Sequence, residues 1–395
     1  MPRPHVIVIG AGLGGLCLAQ GLRRRNLDVA VYESDASLTS RQQGYRIHID
    51  GHGDQALAGN LPSHLHRLFR ATAGVPRTST PVFDHRLERL AVLEPSDDGV
   101  HLAVNRLTLR QILLAGLEDV VAFGKHFTHY RVGDDDRVTA YFSDGTTATG
   151  DVLVAADGVN SPVRRQYLPH ARVVDTGLRQ LYGKVPLTPQ TRDLFLDDMF
   201  AVFTPIVGPD GSFVGVAPVE YPEPVRQAAA RLAPEVGLRD TQDYMTCSFG
   251  ARHELLPADD ELRAMSGAEL RAMTLSMIDG WHPGVRAIID RWDTSTVFPL
   301  TLRTSVPIEP WPTTNVTLLG DAIHAMSPAG GVGANTALRD ASALAAALGE
   351  AAAGRPLVQA LTEYEAAMVA YGFDAVRTSA ENGQRLLGQD PLPTA

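Results

Sequence analysis

A glycine-rich turn near the start of the chain restricts the possible fold more than any other feature. The sequence GAGLGG at residues 10–15 lies between an apolar run at 5–9 and a helix-like segment at 16–25. A second apolar run at 28–32 follows, so the order predicts a β-α-β unit. The turn has the G-x-G-x-x-G spacing that lets backbone approach a pyrophosphate at the start of a helix. A dinucleotide-binding turn is therefore predicted, with a plain β-α turn as the alternative.

The residues of this unit have separate expected roles. Gly10 permits a tight turn, Gly12 allows a phosphate to approach the backbone, and Gly15 lets the helix pack on the strand. Glu33, at the end of the second strand, can accept hydrogen bonds from ribose hydroxyls and would repel a 2′-phosphate, which favours NAD or FAD. The predicted cofactor contacts in this unit are Gly10, Gly12, Leu13, Gly14, Gly15 and Glu33.

Composition weighs against several other functions. The 395 residues are 44% hydrophobic and 20% charged, which suits two or three packed units. The net charge of −10 and the absence of long basic runs argue against nucleic acid as a partner. The two cysteines, Cys17 and Cys247, form no ligand cluster, so no metal site is expected. No apolar run reaches the roughly 18 residues that span a bilayer, so we expect a cytoplasmic protein without a membrane partner.

Two further motifs follow the first in a definite order. The sequence DVLVAADGVNSPVR at 151–164 places an Asp-Gly pair after a predicted strand, and LGDAIH at 319–324 is followed by PAGGVGAN at 328–335 and by Asp340. Together with the first turn, these motifs resemble those of the FAD-dependent aromatic hydroxylases, the single-component flavoprotein monooxygenases similar to p-hydroxybenzoate hydroxylase. The resemblance extends over essentially the whole chain, although the family's usual Gly-Gln-Gly is Gly331-Val332-Gly333 here.

This resemblance implies a set of FAD contacts beyond the first turn. Asp321 would accept hydrogen bonds from hydroxyls on the flavin side of the cofactor, and the helix beginning near Asn335 would direct its positive end at the flavin ring. Arg110 would reach the pyrophosphate, with a surface ion pair as the alternative, and Arg41 would contact FAD or nicotinamide phosphates. The contacts implied by the resemblance are Arg41, Arg110, Asp157, Asp321, Pro328, Gly331, Gly333, Ala334 and Asn335.

The sequence specifies the catalytic and substrate-binding residues less precisely than the cofactor contacts. The predicted strand at 45–50 is expected beside the flavin, and its alternation places Arg46 and His48 on one side, so both are catalytic candidates. A hydrogen-bonded core histidine is the alternative for His48, and His324 is expected to shape its loop. An apolar and aromatic set is expected to contact substrate, or else to belong to the core: Tyr182, Phe203 and Met245.

We predict an α/β fold with a Rossmann-like FAD-binding domain, an inserted sheet-plus-helix substrate domain and a C-terminal helix. A hairpin signal at 208–211 marks the inserted sheet, and helices at 225–233 and 258–278 are expected to cover it. The predicted boundaries are 1–75, 101–171 and 301–350 for the FAD-binding domain, 76–100 for strands shared with the substrate domain, 172–300 for the substrate domain, and 351–395 for the C-terminal helix.

The resemblance also implies the reaction. NADPH or NADH would reduce the FAD transiently, O2 would react to form a flavin C4a-hydroperoxide, and a small aromatic or polycyclic substrate would be hydroxylated. A dehydrogenase or a Baeyer-Villiger-type oxygenase on the same scaffold remains an alternative, as does a non-catalytic flavin-binding protein.

Overall fold

The computed structural model describes residues 4–40, 45–93, 99–239 and 241–393. Its strands, numbered in chain order, are β1 His5–Ile9, β2 Asp28–Tyr32, β3 Arg46–Ile49, β4 Thr80–Asp84, β5 Arg89–Leu93, β6 Leu102–Asn105, β7 Val121–Ala122, β8 Phe127–Val132, β9 Val138–Phe142, β10 Thr147–Gly150, β11 Val152–Ala155, β12 Val173–Pro186, β13 Thr204–Val207, β14 Phe213–Val219, β15 Tyr244–Arg252, β16 Phe298–Ser305 and β17 Val316–Leu318. Its α-helices are α1 Leu13–Arg24, α2 Gly51–Asn60, α3 Ser63–Ala71, α4 Arg106–Leu114, α5 Pro162–Tyr167, α6 Val225–Leu232, α7 Asp259–Ala264, α8 Gly267–Met277, α9 Pro283–Asp290, α10 Asp321–His324, α11 Gly333–Ala352 and α12 Leu357–Leu387.

A five-stranded parallel sheet forms the central layer. Its strand order is β17-β11-β1-β2-β7. Residues Val6 to Val8 of β1 and all four residues of β11 are fully buried, as expected for strands that are covered on both faces. The buried side of α1 packs against this sheet and against α11. Because parallel strands share one direction, the residues that follow β1, β11 and β17 meet at the same edge of the sheet.

A seven-stranded sheet forms the second layer, in the order β16-β12-β15-β14-β13-β4-β5. Neighbouring strands are antiparallel except β13 and β4. Along β12 and β15 the side chains alternate between two faces. One face belongs to a core that also includes apolar side chains of α7, α8 and α9. The other face carries Gln180, Tyr182 and Lys184, and it is the face that contributes to the candidate site described below.

The α/β prediction, with an additional sheet and a C-terminal helix, is confirmed. The predicted hairpin is also present, with β13 and β14 paired across the turn at 208–211. The helix predicted at 225–233 is present as α6, but the expectation that it covers this sheet is wrong, because its buried side chains belong to the core of the parallel-sheet domain and it packs against α3. The domain boundaries stay a prediction, and the seven-stranded sheet takes β4 and β5 from the segment that was expected to be shared.

The predicted single helix at 258–278 is wrong. The chain forms α7, breaks at Met265 and Ser266, and restarts as α8. The Ser266 hydroxyl accepts from the Glu269 N–H, and the Glu269 carboxylate accepts from the Ser266 N–H at 2.7 Å, which is a capping box that begins a new helix. A β-carbon at Gly267 would lie 1.9 Å from the Thr294 carbonyl oxygen, so packing also requires glycine at this restart.

The described segments contain neither a candidate membrane-spanning helix nor a cluster of candidate metal ligands. None of the helices there combines the length and apolar character needed to cross a bilayer. Within the same segments, His, Cys, Asp and Glu side chains do not gather in groups of three or more that could hold a metal ion.

Candidate functional site

The first glycine turn is shaped by backbone packing at two positions and is open at a third. Gly10 has φ +106°, and a β-carbon there would lie 2.3 Å from the Ala156 carbonyl oxygen. A β-carbon at Gly15 would lie 2.1 Å from the Gly10 carbonyl oxygen. At Gly12, in contrast, no other part of the described chain comes within 4 Å of that position. The turn therefore needs Gly10 and Gly15 for its own fold, whereas the space beside Gly12 is left for another molecule.

The start of α1 beside this turn has no side-chain cap among the described residues. Its N-cap, Gly12, provides no side-chain cap, and its first turn contains no acidic residue. Free N–H groups at a helix N-terminus, together with the helix dipole, favour an anionic group such as a phosphate. Leu13 and Gly14 begin this helix, and Gly14 packs against Leu319, since a β-carbon there would lie 2.7 Å from the Leu319 side chain.

Glu33 and Arg110 form a buried ion pair that hydrogen-bonds to the backbone of the glycine turn. Arg110 Nη2 donates to Glu33 Oε2 at 3.0 Å, and Arg110 Nε donates to the Ala11 carbonyl at 2.7 Å. Glu33 Oε2 also accepts from the Ala11 N–H at 2.9 Å. Both side chains therefore hold the backbone of the turn at Ala11. Their predicted contacts with the ribose and pyrophosphate stay predictions, and Arg41 lies outside the described residues.

The Asp-Gly element lies next to the first turn, after β11. Asp157 Oδ1 is buried and has no hydrogen-bond partner among the described residues. Burial raises the pKa of this carboxyl to about 6, against the opposing effect of hydrogen bonds that include one from Ser161. Arg164 donates to the carbonyls of Ala322, at 2.9 Å, and Val159, at 3.0 Å, and so ties this element to α10. Asp157 thus keeps a buried acceptor oxygen that no described residue uses.

Asp321 begins α10 at the same edge of the sheet. Its side chain is accessible, yet protein surrounds it on most sides, so that it lies in a recess of the surface. Desolvation in this recess raises the pKa of the carboxyl, and the positive charges of His324 and Arg106 oppose the rise. A carboxylate in such a recess is well suited to accept hydrogen bonds from hydroxyl groups.

The glycine loop that follows leads into α11. Pro328 begins a 3-10 turn, Gly331 has the left-handed φ of +65°, and α11 starts at Gly333 without a side-chain cap or an acidic residue in its first turn. Ala334 is half-buried in that first turn. This 20-residue helix therefore directs an uncapped N-terminus into the cleft.

Asn335 fastens this loop to β3. Its Nδ2 donates to the His48 carbonyl at 3.1 Å, and its Oδ1 accepts from the Asp50 N–H at 3.1 Å. Gly53 is required beside it, because a β-carbon there would lie 2.2 Å from Asn335 Oδ1. The side chain was predicted to bind cofactor, and the structure shows it engaged in holding two segments of the cleft wall together.

Asp340 is the centre of a buried network behind the loop. Its Oδ2 accepts from the Gly320 N–H at 2.7 Å and pairs with His324 Nε2 at 2.6 Å, while its Oδ1 accepts from the Tyr371 hydroxyl at 2.6 Å. Burial alone would lower the pKa of His324, but the charge and hydrogen bond of Asp340 raise it. His324 therefore shapes the loop, as expected, and the contribution of Tyr371 from α12 was not predicted.

Aromatic side chains line the cleft on the side of the seven-stranded sheet. The rings of Tyr45 and Tyr182 have centroids 5.4 Å apart, and the ring of Phe298 lies 5.8 Å from that of Tyr182. Phe203 covers Gly215 on the same face of the seven-stranded sheet, because a β-carbon at Gly215 would lie 2.6 Å from its ring. The structure thus brings Tyr182 and Phe203 to the face that looks into the cleft.

Met245 does not join them. It is fully buried and belongs to the core between the sheet and α7 to α9. Its partner across β12 is Val185, whose side chain lies on that same core face. A contact between Met245 and substrate would require the opposite face of the strand, so we place this residue in the core.

His48 lies on the opposite wall, beside the glycine loop. Its Nε2 is 3.0 Å from Nδ1 of His101, and the two rings stack with centroids 5.1 Å apart. Its Nδ1 lies 4.0 Å from the position that a β-carbon would take at Gly331. Arg46, two residues earlier on β3, interacts electrostatically with Tyr182 and Tyr244 of the seven-stranded sheet. The structure therefore brings both catalytic candidates to the cleft.

The geometry fits FAD at this edge of the parallel sheet. The three motifs follow β1, β11 and β17, which are neighbours in the sheet. Three features need an external partner of this kind: the open space at Gly12, the unpartnered oxygen of Asp157, and the uncapped N-termini of α1 and α11. Residues at the first turn would hold the phosphates, and those of the glycine loop would hold the flavin.

Comparisons with known proteins agree with this assignment. A family model described as an FAD binding domain matches residues 293–379, and one described as an NAD(P)-binding Rossmann-like domain matches residues 8–71. The solved structure of a protein from Photorhabdus luminescens subsp. laumondii TTO1, described as an FAD-containing monooxygenase, has a TM-score of 0.84 and 32% identity, covering 98% of this chain and 99% of that one.

Two relatives of known function are also similar. The dual O-methyltransferase/FAD-dependent monooxygenase of Cercospora beticola is 34% identical over 98% of this chain, which spans only 47% of that protein's length. The 6-hydroxynicotinate 3-monooxygenase of Pseudomonas fluorescens is 28% identical over 98% of this chain and 93% of its own length. With the three motifs gathered in one cleft, these similarities show that the chain belongs to the FAD-dependent monooxygenases of the aromatic hydroxylase type, with FAD as its cofactor.

Proposed function

We propose that the protein uses NAD(P)H and O2 to hydroxylate a small aromatic or polycyclic substrate. In the net reaction, substrate C–H, O2, NAD(P)H and a proton give substrate C–OH, water and NAD(P)+. The observation that carries this proposal is an aromatic wall formed by Tyr182 and Phe298 of the seven-stranded sheet and by Tyr45, which immediately precedes β3. An aromatic wall beside the proposed flavin site suits an aromatic ring better than a flexible aliphatic chain.

Bound FAD supplies the redox chemistry that protein side chains lack, by accepting a hydride and passing one atom of O2 to the substrate. The chain's own residues bind, orient and shield. The uncapped N-terminus of α11 stabilises negative charge on the flavin side, and the packed aromatic wall excludes water from the reacting groups. NADPH or NADH is proposed as a transient reductant, and the cytoplasmic location stays a prediction.

His48 is the proposed base. A hydroxyl on the substrate ring activates the ring for oxygen transfer when it loses its proton, and His48 lies at the junction of β3 and the glycine loop, where such a hydroxyl would be placed. His101, hydrogen-bonded to His48 at 3.0 Å, can receive the proton in turn. Arg46 is the second catalytic candidate, and its proposed role is developed in the next subsection.

The variant His48→Asn is expected to retain FAD and to lose hydroxylation. Removal of a general base typically lowers the rate by about 100-fold or more, so kcat should fall by that factor while KM changes little. His101→Asn should give a smaller decrease in kcat. Steady-state kinetics on the FAD-loaded protein measure both effects. The exposed His170→Asn serves as the matched control, and a wild-type kcat in His48→Asn would remove His48 from the mechanism.

The proposed function is tested by NAD(P)H consumption against a panel of phenols, quinones and polyketide-like aromatics. A substrate should accelerate NADH or NADPH oxidation, and mass spectrometry should find a product that has gained one oxygen atom. Without substrate, consumption should be slow or should yield only hydrogen peroxide. Stimulated consumption with a product that has lost hydrogen and gained no oxygen would instead indicate a dehydrogenase.

A further inference from the structure

Arg46 presents hydrogen-bond donors that the protein does not use. Its Nε and Nη2 are buried and have no hydrogen-bond partner among the described residues. Buried donors without a partner cost free energy, so such groups in a cleft usually meet a ligand. Burial lowers the pKa of this guanidinium to about 10, partly offset by Tyr244 and Tyr182, and the group therefore stays charged at neutral pH. A charged donor directed at the cleft is the first part of a binding site.

Lys184 supplies a second positive charge on the facing wall. It lies on β12 two positions after Tyr182 and hence on the same face of the sheet, and its Nζ is 4.3 Å from the centre of the Tyr244 ring. Tyr244 also interacts with the charge of Arg46, so the two cations share a neighbour. Burial lowers the pKa of Lys184 to about 8, with Asp293 opposing, so that most of it is protonated at neutral pH.

Neither cation has a carboxylate partner in the part of the chain that the structure describes. No ion pair within 4.0 Å joins Arg46 or Lys184 to an Asp or Glu there. Arg179, on the opposite face of β12, shows the usual arrangement in this protein, because Asp175 and Asp259 both pair with it. A chain with net charge −10 thus keeps two cations next to its aromatic wall with no carboxylate within 4.0 Å of either among the described residues, and Asp293 acts on Lys184 only from a longer distance.

The remaining polar atoms on this face are also available. Gln180 Oε1 and Thr246 Oγ1 are buried and lack hydrogen-bond partners among the described residues. Gln180 lies two positions before Tyr182, and Thr246 is the register partner of Lys184. The Thr246 hydroxyl can donate a hydrogen bond to an anionic substituent beside Lys184, whereas the Gln180 oxygen, an acceptor, can bind only a hydroxyl or N–H group elsewhere on a ligand.

We propose that the site takes an aromatic substrate with an ionised oxygen group, a carboxylate or an acidic phenolate or enolate, and that Arg46 binds this group while Lys184 adds to the positive potential. This inference rests on the proposed function and names its substrate class. The aromatic wall would hold the ring, and Arg46 would fix the ring's orientation relative to His48, two residues away on the same strand.

The test compares three probes that share one ring system, bound to the FAD-loaded protein and followed by flavin absorbance or fluorescence. The first is 1-hydroxy-2-naphthoate, a carboxylate. The second is 2,4-dinitro-1-naphthol, a phenolate at neutral pH without a carboxylate. The third is 1-hydroxy-2-naphthamide, which is neutral. A charge-assisted hydrogen bond to Arg46 predicts that at least one anion binds about 10- to 100-fold more tightly than the amide. Tighter binding of the first probe than of the second would indicate a carboxylate substrate, and the reverse order would indicate a phenolate.

Arg46→Gln should remove that preference and leave the affinity for the amide unchanged, whereas Arg46→Lys should restore part of it. Lys184→Gln should reduce the preference by a smaller factor. Arg231→Gln, which removes an exposed arginine on α6, is the matched control. FAD content and melting temperature are measured for each variant. If Arg46→Gln does not fold, the probe affinities of Arg46→Lys and Lys184→Gln decide the outcome.

Equal binding of the amide and both anions to the wild-type protein would overturn the inference, as would an unchanged preference in Arg46→Gln. The outcome is distinguishable from failure of the proposed function. A protein that adds oxygen to neutral aromatics, with no preference for anions, keeps the function and loses this inference. A protein that binds anions at Arg46 but transfers no oxygen keeps the binding site and loses the function.

Discussion

The variant Gly12→Ala is expected to fold normally and to lose most of its FAD. Among the residues that the structure describes, none outside the turn itself comes within 4 Å of the added methyl group, so the described fold accommodates it. The methyl would occupy the space through which a phosphate approaches the N-terminus of α1. An inserted methyl group in a tight contact costs about 1–3 kcal/mol, which corresponds to roughly 5- to 150-fold weaker binding. FAD content after gel filtration and a titration of the apoprotein measure the loss.

Gly15→Ala is the matched comparison in the same turn. Its methyl would lie 2.1 Å from the Gly10 carbonyl oxygen, so the protein's own backbone must move. This variant should lower the melting temperature of the apoprotein, which Gly12→Ala should not. Wild-type FAD affinity in Gly12→Ala would show that the turn does not cradle the cofactor.

Asp340→Ala is expected to give the largest loss of stability. The fully buried carboxylate accepts hydrogen bonds from the Gly320 N–H and the Tyr371 hydroxyl and pairs with His324, and the alanine variant leaves all three without an acceptor. Removing one partner of a buried pair typically costs about 3–5 kcal/mol. Urea unfolding of the apoprotein measures the change in the free energy of unfolding. Asp374→Ala, in the same α12 helix as Tyr371, is the control, and equal stability of the two variants would contradict this network's role.

The same network predicts a pH dependence of stability. The pKa of His324 is raised in the folded state above its ordinary value of 6.5, so folding favours the protonated imidazole. The stability that this provides is fully present below pH 6.5 and decreases as the pH rises through the folded pKa. His324→Asn should remove this part of the dependence. An unchanged slope of unfolding free energy above pH 6.5 in that variant would assign the dependence to other groups.

Patterns within short stretches of sequence predicted the elements that depend on interactions between residues close in the chain. The turn between β1 and α1 follows from glycine spacing, and α12, Leu357–Leu387, lies within the segment 351–395 for which a C-terminal helix was predicted. Helix α2 was missed because three glycines in ten residues argue against a helix. Its one clear signal was Asp50, which caps the helix by accepting from the Gly53 N–H at 2.9 Å. Packing against Asn335 then requires glycine at residue 53 and overrides its low helix propensity.

Contacts between distant segments could not be inferred in this way. Glu33 and Arg110 were each assigned to cofactor from motifs, and their direct pairing across 77 positions depends on how α4 docks beside the turn. Strand alternation likewise assigns Tyr182 and Met245 to opposite faces of the sheet. Which of the two faces borders the cleft is decided by the packing of α7, α8 and α9 against the face that carries Met245. Tyr371 carries no motif, and only the folded path of α12 brings it to Asp340.

The oxygen atom added to the aromatic substrate is expected to come from O2, and isotope labelling distinguishes this source from water. The FAD-loaded protein is supplied with NAD(P)H and a stimulating substrate, once under isotopically labelled O2 in ordinary water and once under ordinary O2 in labelled water. We expect the product to carry one labelled oxygen atom in the first experiment and none in the second. Label arriving from water, or turnover undiminished without O2 when another electron acceptor is supplied, would contradict it.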